Sequence, residues 1–157
     1  MVRQLSDIEK FNMEFLDKKG IPYVSVFMTD NILSHSIFDA SRQMVVFLQK
    51  SGIHDFHNQI NGKDGKVFVK THILMFDKEL LSQTSLYKAG GRGDKRMWFG
   101  SEILPITDSN DVYFVFAHNA ELYIINGSHM DIEYCFTTGI ENPIKTFLLS
   151  LTENSNN

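Results

Sequence analysis

Between Lys88 and Arg96 the chain reads KAGGRGDKR: four basic side chains, one acid and three glycines in nine residues. Glycine lets a backbone come close to a partner, and the planar fork of arginine matches phosphate oxygens and the guanine edge. Lys88, Arg92, Asp94, Lys95 and Arg96 are therefore candidate DNA contacts. A second polar stretch, KSGIHDFHNQINGKDGK, brings Lys50, Ser51, His54, Asp55, His57, Asn58, Gln59, Asn61 and Lys63. That mixture has the chemistry of base-edge readout: amides for adenine, an acid for the cytosine amine, cations for phosphates.

Catalytic chemistry finds less material. Metal-dependent nucleases need clustered carboxylates, usually with a lysine nearby. Asp64 stands in DGK, Asp77 and Glu79 in DKE, and Asp131 and Glu133 in DIEY; each pattern fits a solvated turn or strand face. The six histidines, His35, His54, His57, His72, His118 and His129, form neither an HxH nor an HExxH pair. The spacing of His54 and His57 suits a metal only on a helix, which the surrounding Gly and Asn residues oppose. No GxSxG elbow or Walker sequence occurs, and GGRGDK lacks the Gly-Lys-Ser/Thr ending of a phosphate loop. The one cysteine, Cys135, excludes an internal disulfide framework and reads as a buried thiol. The expectation is a protein without catalytic residues, metal or cofactor.

Charge distribution supports an anionic partner locally although not on average. The formal charge of the 157 residues is −4. Residues 50–100, however, carry nine basic against five acidic side chains, whereas residues 101–157 carry one against eight. A polyanion responds to the local positive face. The hydrophobic fraction of 43% supports a packed fold, expected as one domain over residues 1–152 with 153–157 as a polar tail or the start of a linker. No apolar run is long enough to span a bilayer and the opening residues have no signal-peptide core, so the expected compartment is the cytoplasm.

The elements that must position the basic stretches are mostly strands. LSDIEKFNMEFLDKKG predicts an opening helix, with Ser6 as N-cap, Glu9 completing a capping box and Gly20 as the stop. Its core stripe is expected at Leu5, Ile8, Phe11, Phe15 and Leu16. YVSVFM, QMVVFLQ, KVFVKTHI, TSLYK, KRMWFG and DIEYCFT read as strands, and TDNILSHSIFDASRQ stays open between short helix and loop. DVYFVFAH and ELYIING form a hairpin turning at Asn119 and Ala120. NPIKTFLLSL predicts a closing helix with Asn142 as N-cap and Pro143 at its first position. About seven mostly antiparallel strands with a helix at each end indicate an α+β, mostly β fold of small-barrel type.

LYKAGGRGDKRMWF followed by NDVYFVFAHNAELYIING resembles a segment of recognition domains in bacterial restriction endonucleases. The order of parts is similar to the EcoRII amino-terminal effector domain, and closer in character to the amino-terminal domain of LlaJI-type, McrB-like restriction subunits. The resemblance covers roughly residues 45–138. It implies the plant B-three fold, an open seven-stranded pseudobarrel whose two arms enter the major groove. The arms would be the two polar stretches above, although the usual plant arm sequences are missing. It further implies that nucleotide hydrolysis and cleavage lie in other domains or subunits. The expected function is sequence-specific recognition of double-stranded DNA within a restriction-modification system. Two alternatives stay open: a modified-base reader of the SRA or YTH type, with Trp98 or Tyr87 lining a pocket for a flipped base, and a metal-dependent nuclease using Asp64 or Asp77.

Overall fold

Ser6 starts the first helix as its side chain dictates. Its hydroxyl accepts the Glu9 N–H, and the Glu9 carboxylate accepts the Ser6 N–H at 2.9 Å. The computed structural model describes residues 4–154. In chain order its elements are α1 (Asp7–Lys18), β1 (Val24–Met28), α2 (Asp30–His35), β2 (Phe38–Asp39), α3 (Arg42–Lys50), β3 (Val67–Leu74) and β4 (Glu79–Lys88). There follow β5 (Lys95–Trp98), β6 (Asp111–His118), β7 (Glu121–Asn126), α4 (Ile132–Thr137) and α5 (Pro143–Asn154). Short 3-10 turns lie at Phe56–Asn58, Lys63–Gly65 and Ser101–Ile106.

The seven strands form one curled, open sheet in the order β1-β6-β7-β3-β4-β5-β2. Every pairing is antiparallel except β3 with β7, which are parallel. That parallel junction divides the sheet into a β1-β6-β7 half and a β3-β4-β5-β2 half. The fold is thus mixed α and β with an open half-barrel. β6 is buried on both faces from Asp111 to Phe116, which explains its continuous apolar run. Tyr113 and Val115 face one core cluster with Met44, Leu48, Leu86 and Met97. Val112, Phe114 and Phe116 face another with Phe15, Leu16, Cys135, Ile144 and Leu148.

Two segments expected as strands are helices. QMVVFLQ belongs to α3, because the Ser41 hydroxyl caps the Met44 N–H at 3.1 Å and Met44 and Leu48 then share the buried face. DIEYCFT belongs to α4, where the Asp131 carboxylate accepts the Tyr134 N–H at 3.0 Å and Ile132 and Cys135 face the core. Eight segments read as strands, so losing these two and gaining β2 from the open segment leaves seven, while the first part of that segment is the helix α2. One residue of the α1 stripe also differs. Phe11 is 63% exposed, and Glu9 and Asn12 take buried places instead. α5 runs to Asn154, past the boundary expected for a polar tail, and residues 155–157 lie outside the described residues. Among the described residues no helix is long and apolar enough to cross a membrane.

Candidate nucleic-acid interface

The two polar stretches arrive at the same end of the β3-β4-β5 half. Residues 51–66 connect α3 to β3, and residues 89–94 turn β4 into β5. A main-chain bridge joins them: Asn61 pairs with Lys88, and the Gly62 N–H donates to the Lys88 carbonyl at 2.6 Å. Ala89 closes the other turn by donating to the Asp94 carbonyl at 2.8 Å. Gly91 and Gly93 hold left-handed φ values of 76° and 75° that few other residues tolerate. A Cβ on Gly93 would also stand 3.1 Å from the Asn61 amide nitrogen. The two stretches are therefore stitched into one rim.

Several of the candidate contacts are occupied in building that rim. Gln59 is buried, donating to the Gly65 and Leu86 carbonyls at 2.8 Å each, while its amide oxygen lies 2.9 Å from His54 Nε2. Asp55 accepts the His57 N–H at 3.0 Å and the Asn58 side-chain amide at 2.7 Å. Arg96 sits between Asp39 at 3.4 Å and Asp94 at 3.6 Å, with its side chain 35% exposed. Arg92 also pairs with Asp94, at 2.9 Å, but its side chain is 87% exposed. Lys66 places its ammonium 4.9 Å from the Tyr87 ring centre.

Other cations meet like charge. Lys88 and Lys95 lie directly opposite each other across β4 and β5, and both are half-buried. Like charges in that register repel and weaken a sheet. Neither lysine has an acidic partner at ion-pair distance among the described residues. Lys63 and His57 stand exposed on the same connection, the exposed Lys50 ends α3, and Ser51 caps that helix. An anion at the rim would relieve this repulsion.

The candidates for cleavage chemistry do not converge. Asp64 precedes β3 and Asp77 follows it, so the eight residues of that strand separate them. Trp98 packs partly buried against one core cluster, and Tyr87 is buried beneath Lys66. Burial pushes the Cys135 thiol up to about 11, which leaves it protonated at neutral pH.

Two constellations absent from the sequence reading do form. His129 Nε2 lies 3.1 Å from an Asp108 oxygen and 2.9 Å from Asp111 Oδ2, a set of metal-ligand type with its three atoms within 4.8 Å. Asp111 Oδ2 already accepts the Asp108 N–H at 2.7 Å and the Asn126 amide at 2.9 Å, so it pins a turn. The D-x-x-D spacing was its only sequence signal. His72 lies between Glu79 at 3.3 Å and Glu121 at 2.6 Å and stacks on Tyr123, clasping the parallel junction. Its hydrogen bond holds the Glu121 carboxyl below the usual carboxylate range. These partners come from β4 and β7, and no local spacing reveals them.

Compared with protein-family models, curated proteins and solved structures, the chain matches none.

Proposed function

We propose that this chain is a non-catalytic, sequence-specific double-stranded DNA-binding domain. It would serve as the targeting part of a restriction-modification system, with cleavage and nucleotide hydrolysis carried by other domains or subunits. The observation that carries the reading is the unrelieved Lys88–Lys95 pair at the rim where both polar stretches meet. Phosphate oxygens are the natural complement to such a pair, and neutralising phosphates supplies most DNA affinity. The B-three identity of the curled sheet and action in the cytoplasm belong to the same proposal.

On this reading the work divides among the rim residues. Lys63, Lys88 and Lys95 contact phosphates, while the exposed Arg92 and the amides Asn58 and Asn61 are the base readers. Arg96, Gln59 and Asp55 hold the loops in place. Selecting bound duplexes from a random pool at low salt tests the proposal. Recovery of an enriched motif is expected, and Arg92→Ala relaxes one position of it at a cost of about 1–3 kcal/mol. A selected pool indistinguishable from the input would sink the reading.

A further inference from the structure

Ile60 is the most exposed of the large hydrophobic side chains among the described residues, at 67%. Its neighbours nevertheless hold it in place. Gln59 before it is buried and donates to two main-chain carbonyls, and Asn61 after it pairs with the Lys88 main chain. Gly65 packs so closely that a Cβ there would stand 2.6 Å from both the Ile60 carbonyl oxygen and its Cγ1. An apolar prong is thus fixed among the candidate base readers of the rim. With Val67, itself 38% exposed, it borders an open hollow of about 290 Å³ whose other side chains are His54, Asp55, Asn58 and Gln59. We infer that this hollow seats the C5-methyl group of a pyrimidine in the major groove and that Ile60 is a specificity-determining residue, an inference that rests on the DNA-binding reading.

Three features select that chemistry. First, the polar side chains of the lining are mostly spent on one another. His54 Nε2 lies 2.9 Å from the Gln59 amide oxygen, the Gln59 amide nitrogen donates to the Gly65 and Leu86 carbonyls, and both Asp55 oxygens accept from within the connection. What the hollow offers a ligand is therefore chiefly Ile60 and Val67, with the exposed Asn58 amide at the side. Second, its volume is below the roughly 300–1,000 Å³ of sites that enclose a small molecule, which suits the edge of a stacked base rather than a base drawn out of the duplex. Third, Val67 pairs with Leu86 across β3 and β4, and Lys88 lies two residues beyond Leu86, so Val67 and the Lys88–Lys95 pair share one face of the sheet. Apolar groups for a methyl and cations for phosphates then stand side by side, as base edge and backbone do along a groove.

The methyl group has two sources, thymine and 5-methylcytosine, and both present it at the major-groove edge of the pair. Set against Ile60 and Val67 it leaves water, and burying one such carbon changes affinity about fourfold.

The test uses the full chain and duplexes recovered from two random pools, one with ordinary bases and one with 5-methylcytosine in place of cytosine. In the tightest duplex of each pool the methyl groups are removed one at a time, as deoxyuridine for thymine or cytosine for 5-methylcytosine, which leaves pairing intact. Expected is one position at which removal weakens binding about fourfold in the parent and not at all in Ile60→Ala. Ile60→Ala should bind the methylated duplex about as the parent binds the methyl-free one. A thymine at that position names thymine as the source, and a 5-methylcytosine names the modified base. A parent that binds duplex equally with and without every methyl overturns the inference and leaves the DNA-binding reading standing. So does a methyl effect of the same size, or the loss of all binding, in an Ile60→Ala variant with the parent's melting profile. Failure of both pools to bind removes the DNA-binding reading and this inference with it.

Discussion

Both halves of the sheet satisfy buried polar groups within the chain, as Gln59 and Ser82 do at β4, but the β3-β4-β5 half also sets like charges against each other. On the β1-β6-β7 side, buried polar groups find partners within the chain. Asn12 of α1 donates to the Gly127 and Met130 carbonyls at 2.8 and 2.7 Å and accepts the Ile132 N–H at 3.0 Å. Glu9 accepts from Ser128, and Asn126 donates to Asp111. On the β3-β4-β5 side two lysines oppose each other, and Arg96 faces Asp39 and Asp94 at 3.4 and 3.6 Å without a hydrogen bond among the described residues. Phe68 and Leu81 are also left 60% and 57% exposed on the outer face. α1, α4 and α5 pack on the first half and leave that outer face uncovered. One half matches its polar groups internally, and the other adds to such matches an opposed lysine pair and exposed apolar side chains.

Truncating a matched amide in each half should give the largest contrast. Asn12→Ala strands two buried carbonyls and an N–H, each costly to leave unpaired, so a loss of about 3 kcal/mol or more is expected by denaturant unfolding. Asn61→Ala, on the exposed rim, should change stability by no more than about 0.5 kcal/mol. Equal losses would break the contrast between the halves.

A second contrast is one of pH. Burial pushes the Tyr113 hydroxyl up to about 12 from 10.0, against smaller lowering contributions from Thr107 and Asn126. Because the folded value is the higher one, its contribution is complete below pH 10 and is lost as pH rises from 10 towards 12. The unfolded chain releases this proton first. The loss amounts to about 2–3 kcal/mol at 1.36 kcal/mol per pH unit. Tyr113→Phe should be less stable at neutral pH, since it lacks the 2.6 Å bond to Thr107, yet show a flatter decline across that window. Parallel declines in the two proteins would remove Tyr113 as the cause.

Legibility in the sequence follows how local each signal is. The α1 capping box, the turn at Asn119 and Ala120, where both residues hold positive φ, and the Asn142 cap of α5 are written within four residues, and each forms as expected. QMVVFLQ and DIEYCFT failed because short apolar runs fit either period. A single capping bond from Ser41 or Asp131 settled each as a helix. The basic turn was visible for the same local reason. Its junction with Asn61 was not, since that bridge joins positions 27 residues apart. The cleft of about 700 Å³ between β1 and β2 was less visible still, because its lining comes from β1, α2, β2, α3 and β5.

The smallest effect is also the one whose sign is most informative. Lys95→Gln removes one charge from the cross-strand pair with Lys88 while keeping the length and amphipathic stem of the side chain. If the rim were ordinary surface, losing a half-buried cation would leave stability unchanged or reduce it. If the pair is held in repulsion for an anionic partner, the variant should be more stable than the parent by about 0.2–1 kcal/mol. The same variant should bind duplex DNA more weakly, with a salt slope shallower by about 1. The gain should shrink as salt is added, because screening relieves the parent's repulsion too. A stability gain coupled to a binding loss is the signature of charge held for a ligand, and a variant that loses both would place Lys95 among the structural groups of the first half.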